Sequence, residues 1–105
     1  MERIKIKRAT TKGLIDATGI LLNVMDHQFC LTEFDDDEFD IIELSTGCSA
    51  GSFHSEDRTC VVVLIAEDII KEKSVKELNK AIAKAKKIYS EKYGFSMPVN
   101  EPVRI

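Results

Sequence analysis

No stretch of this sequence is apolar for long enough to cross a bilayer. The longest run, Cys60-Val61-Val62-Val63-Leu64-Ile65-Ala66, has seven residues, about a third of the ~20 that a spanning helix needs. No hydrophobic signal core follows Met1-Glu2-Arg3-Ile4-Lys5, so the cytoplasm is the expected compartment and no membrane partner is expected. Metal ligands are scarce too. Cys30, Cys48 and Cys60 form no Cys-x-x-Cys pair and only two histidines, His27 and His54, accompany them, whereas a structural zinc site takes four well-spaced ligands. The cysteines therefore read as reduced thiols, and neither a metal nor a cofactor is expected. Internal repeats are also lacking.

What is present suits one folded unit. A chain of 105 residues with 44% hydrophobic and 31% charged residues can build one core but not two, and is too apolar to stay disordered. Its charge is segregated. Residues 1–12 carry five bases against one acid, residues 13–70 carry thirteen acids against Arg58 alone, and residues 71–92 carry eight lysines against three acids. Such a chain can neutralise itself by folding its ends over its middle, join copies head to tail, or offer faces of opposite sign to different partners.

Arg3-Ile4-Lys5-Ile6-Lys7 alternates apolar and basic residues, the pattern of a strand with one wet face. From Thr11 onward Leu14, Ala17, Leu21, Val24 and Met25 fall on one side at 100° per residue, which predicts an amphipathic helix. Phe29–Phe34 and Phe39–Leu44 are rich in aromatic and β-branched residues around the acidic turn Asp35-Asp36-Asp37-Glu38 and predict a hairpin. Thr46 to Asp57 reads as a Gly/Ser-rich loop, and the uniformly apolar Thr59–Ile65 as a central strand. A short helical turn is expected at Glu67–Lys71. Ser74-Val75-Lys76-Glu77 fits a capping box, and Val75, Leu78, Ile82, Ala85 and Tyr89 recur behind it at helical spacing, predicting a long C-terminal helix that ends near Gly94.

The expectation is an α+β domain over residues 1–93, with an antiparallel sheet of about four strands, helices on one face and element order β-α-β-β-β-α. Residues 94–105 form a tail that docks on its own or a neighbouring subunit. The inner α-β-β-β-α order is also that of double-stranded-RNA-binding domains and some small nucleoid proteins. Order is all that is shared, because Lys71, Lys73 and Lys76 only loosely echo the lysine cluster of the RNA-binding family.

Several features can carry chemistry. Lys73, Lys76, Lys80, Lys84 and Lys87 lie within about 80° of one another on the last predicted helix, as an anion-binding stripe or as an ordinary solvated face. Gly47-Cys48-Ser49-Ala50-Gly51 matches the Gly-x-Ser-x-Gly of a serine hydrolase elbow, with His54 and Asp57 following. That elbow needs a strand running into a helix on a large parallel sheet, which this loop does not supply. The same loop can offer backbone N–H groups to an anion, with Ser49, Ser52 and Ser55 as further donors and Arg58 at its end. Asp35, Asp36 and Asp37 make either a solvated turn or a negative surface for a basic partner.

No set of nucleophile, base and orienting group convinces, so a non-enzymatic, homo-oligomeric binding protein is expected, with Cys48 or Ser49 as the nucleophile if that expectation fails. The leading version binds or sequesters a small phosphorylated, nucleotide-like ligand through Ser49, Ser52, Arg58, Phe95 and Arg104. The first alternative is a protein-binding inhibitor or adaptor that uses Asp35, Asp36 and Asp37; the second binds nucleic acid through the basic C-terminal helix, with Lys80, Lys84 and Lys87.

Overall fold

The computed structural model describes residues 2–10, 13–88, 90–91 and 103–104. Five strands come first: β1 (Arg3–Thr10), β2 (Gly13–Val24), β3 (His27–Asp35), β4 (Glu38–Glu43) and β5 (Ser49–His54). Two helices follow, α1 (Thr59–Lys71) and α2 (Val75–Ile88), and then the two-residue strand β6 (Val103–Arg104). Neighbouring strands are antiparallel in the order β5-β4-β3-β2-β1-β6. The α+β class, the antiparallel sheet and the helices on one face agree with expectation. The element order does not, and three segments are corrected.

The expected helix after Thr11 is the strand β2, whose two halves serve different neighbours. Gly13–Ile20 pairs with β1, whereas Ile20–Val24 pairs with β3. Where they meet, Gly19 packs so close to β3 that a Cβ atom would lie 2.2 Å from the Leu31 carbonyl oxygen and 2.9 Å from Cys30 Sγ. Only glycine permits that approach. β1 reaches across the sheet face that the helices leave open: the Ala9 amide donates to the Gly47 carbonyl at 2.8 Å, and Arg8 pairs with Asp40 on β4. Under this cover Ile4, Ile6, Cys30, Ile42 and Leu44 form a core of their own.

The expected strand at Thr59–Ile65 is the first half of α1, and the short turn expected at Glu67–Lys71 is its second half. Val62, Ala66 and Ile70, spaced four apart, are its buried residues. They pack on Ile20, Leu22, Val24, Phe29, Leu31 and Ile41 in the main core. Burial of that repeating face outweighs the strand preference of the β-branched run.

The expected loop at Thr46–Asp57 contains β5, an edge strand, where Gly51 stands opposite Ile41 and Ser49 opposite Ile42, leaving Ala50 as the extra residue of a bulge. A Cβ at Gly51 would lie 3.3 Å from Ile69 of α1, so the missing side chain lets the helix sit close.

The hairpin β3–β4 and the helix α2 follow the sequence pattern. Ser74 caps α2 by accepting the Glu77 amide at 3.1 Å. Of the tail, Val103 and Arg104 pair with Lys5 and Ile4 on β1; Phe95, Gly94 and residues 96–102 lie outside the described residues. Among the described residues no helix is long and apolar enough to cross a membrane.

Candidate functional site

The residues expected to hold a phosphorylated ligand are not gathered into one site among the described residues. Ser49 opens β5 and its hydroxyl donates to the buried Asp40 carboxylate, which also receives Arg8. Ser52 stands exposed on β5, and Arg58 is the exposed residue preceding α1. Arg104 belongs to β6, at the other end of the strand order from β5, and Phe95 lies outside the described residues. The backbone of 49–54 forms an edge strand that pairs with β4. Nor is a hydrolase arrangement assembled: Ser49 leads into a strand, His54 pairs with Glu38 at 3.0 Å, and Asp57 accepts from Ser55 at 2.9 Å.

The basic and acidic segments have different fates. Asp16 on β2 takes up Lys7, with Lys5 at 3.7 Å. The Lys7 hydrogen bond, followed by the charges of Lys5 and Lys7, holds the Asp16 carboxyl below its usual range. Arg8 is spent on Asp40. Lys5, Lys7 and Arg8 thus neutralise two acids of the body, Asp16 and Asp40. By contrast, among the described residues Lys76, Lys80, Lys84, Lys86 and Lys87 of α2 make no ion pair, and neither do Glu33, Asp35, Asp36 and Asp37 around the β3–β4 turn. These two unneutralised groups sit at opposite ends of the β3–β4 hairpin. The acids are at its turn, whereas α2 lies beside the far end, where Glu43, Thr46 and Cys48 are its neighbours.

At the acidic end, a cavity of about 360 Å³ opens at the start of α1. Its floor is Gly19, Ile20, Leu31 and Val62, and its rim carries Arg3, Glu33, Asp37 and Asp57.

Another cavity, about 110 Å³, is smaller and more apolar. It runs between β5 and α2 and is lined by Cys48, Ala50, Leu78, Ala81, Ile82 and Ala85, with Lys73 at one end. It exists because α2 is held lightly. Leu78 is the buried residue of this 14-residue helix, while Val75 is 46% and Ile88 39% exposed. One buried leucine contributes about 2 kcal/mol, and a helix of this length is marginal alone. The Lys73 ammonium donates to the Ala50 carbonyl at 2.9 Å and ties the start of α2 to the bulge in β5. At 100° per residue, Lys84 and Lys86 stand on either side of the stripe that faces the groove, Lys86 towards a separate cavity that it lines with Asp26, His27 and Glu43, whereas Lys76, Lys80 and Lys87 face outward. The helical spacing of Leu78, Ile82 and Ala85 marks the apolar stripe of α2, but whether such a stripe is covered depends on the rest of the fold.

The chain matches no family model, no curated protein and no solved structure.

Proposed function

We propose that this protein is a non-enzymatic protein-docking module and that the groove between β5 and α2 receives an acidic segment of its partner anchored by an apolar side chain. One observation carries the reading: α2 keeps its apolar stripe open over the groove while attached through Leu78. A stripe of this kind lowers its free energy by burial. Its size suits a single anchoring side chain, since apolar cavities of about 150 Å³ take up one benzene ring. Lys84 and Lys86 on the flanks favour carboxylates beside that anchor. Such anchor-in-pocket contacts dominate protein interfaces energetically.

Panning a displayed random peptide library on the protein tests this reading. Sequences combining an aromatic or branched apolar residue with acidic neighbours should be enriched, and Ile82→Asp, whose far-UV circular dichroism should be unchanged, should lose them. No enrichment, or enrichment that survives Ile82→Asp, contradicts the reading.

A further inference from the structure

Resting on that docking reading, we infer that the occupant of the groove is the β3–β4 turn of a second copy of this chain, with Phe34 as the anchor. Phe34 is 56% exposed on the part of β3 that has β4 alone as a ladder neighbour, because pairing with β2 stops at Leu31. It is flanked by Glu33, Asp35 and Asp36, all exposed and without ion pairs among the described residues. An aromatic knob ringed by carboxylates is the chemical complement of an apolar groove flanked by Lys84 and Lys86.

Other exposed apolar side chains fit less well. Ile15 adjoins Asp16, whose carboxylate is already paired with Lys5 and Lys7. Leu64 stands on the outer face of α1, where its own helix limits how deeply it can enter a narrow groove. Phe34 offers both size and unneutralised charge.

Knob and groove lie at opposite ends of the same hairpin, so the contact is heterologous: each copy gives its turn to one neighbour and its groove to another. Repetition of such a contact closes a ring or extends a filament. Lys84 and Lys86 then meet Glu33, Asp35 and Asp36 between copies, as Lys5, Lys7 and Arg8 meet Asp16 and Asp40 within one. Association should be favoured at low salt and weakened as exposed charges are screened.

Sedimentation velocity over rising protein concentration tests the inference. The wild type should gain mass with concentration and lose it with added salt. Phe34→Ala should weaken association by about tenfold or more. Two charge-reversed proteins complete the design. One carries Glu33→Lys and Asp36→Lys, sparing Asp35, which accepts the Asp36 amide, and Asp37, whose φ is +58°. The other carries Lys84→Glu and Lys86→Glu. Each alone should stay monomeric, and their mixture should associate, because each then meets a complementary neighbour. Reversal of the outward-facing Lys76 and Lys80 should have a much smaller effect.

An oligomer that persists unchanged in Phe34→Ala and in both charge-reversed proteins overturns the inference. A wild type that stays monomeric to near-millimolar concentration overturns it as well. If acidic peptides are still enriched by panning in that case, the groove remains a docking site with another occupant; if they are not, both readings fall.

Discussion

Arg8 and Asp40, 32 positions apart in the chain, form a salt bridge that fastens the first strand to the fourth. The Asp40 side chain is 6% exposed and that of Arg8 27%, and the second Asp40 oxygen accepts the Ser49 hydroxyl. Three segments distant in sequence therefore meet on one carboxylate.

Removal of the guanidinium leaves that carboxylate buried with one neutral donor. Breaking a buried pair from one side costs about 3 kcal/mol, so Arg8→Ala should lower the urea midpoint accordingly. Arg8→Ala combined with Asp40→Asn should recover part of the loss, because no buried charge then remains. An unchanged midpoint in Arg8→Ala would remove this bridge as a fastening of β1.

Gly19 stands where the two halves of β2 meet and packs directly on β3. Its Cβ would lie 2.2 Å from the Leu31 oxygen, and backbone cannot yield as a flexible side chain does. Overpacking of this kind costs about 3 kcal/mol, so Gly19→Ala should lower the thermal midpoint strongly. Gly13, whose Cβ position is open, has φ +122°, and Gly13→Ala there should cost about 1 kcal/mol through backbone strain alone.

Cys30 is fully buried beneath the crossing strand, and burial pushes its thiol up from 9.0 to about 11, against a smaller opposing effect of Arg3. The folded state therefore holds this proton more tightly than the unfolded chain. The stability associated with it is fully present below about pH 9 and is lost as pH rises towards about 11. Cys30→Ala should flatten the stability profile in that window. At neutral pH, Cys60, which is exposed, should react with a thiol reagent at once and Cys30 only as the protein unfolds. Rapid labelling of Cys30 would contradict its place in the second core.

Leu78 is what holds α2 to the sheet. Leu78→Ala should destabilise the protein by about 2 kcal/mol and should speed hydrogen exchange across Val75–Ile88 while leaving Phe29 and Ile41 protected. Uniform exchange throughout the sheet would mean that α2 is an integral part of the core.

The elements legible in the sequence were those whose pattern is produced locally. β1 alternates because one face lies on the second core and the other is wet. The β3–β4 hairpin is announced by its acidic turn, and α2 by Ser74 and the apolar spacing behind it. β2 was obscured because its first half is largely exposed, and because in its second half Leu21, half-buried against the second core, interrupts the alternation of Ile20, Leu22 and Val24 with an apolar residue of its own. In that setting Gly19 reads as a flaw in a helix, although it is where β2 packs directly on β3. At Thr59–Ile65 an all-apolar window carries no period, and only its continuation through Ile69 and Ile70 shows the spacing of four that marks α1. β5 has too few apolar residues to signal a strand.

The candidate groove was less legible than the fold. Its apolar lining was visible as a stripe, but its openness follows from α2 being attached to the sheet through one buried side chain, Leu78, and that attachment is a tertiary property. The segregation of charge was visible from the start, and folding determines which charges remain unneutralised.

The most direct test is to record ¹H–¹⁵N correlation spectra of the protein while adding a synthetic peptide with the sequence of residues 31–40, which carries Phe34 and its acidic neighbours. Saturable shifts of the Ala50, Leu78, Ala81, Ile82 and Ala85 amides, weakened by salt and abolished in Lys84→Glu/Lys86→Glu, are the predicted result. Shifts confined to the cavity at the start of α1, or none up to the solubility of the peptide, would contradict the claim that the groove between β5 and α2 is a docking site for this acidic turn.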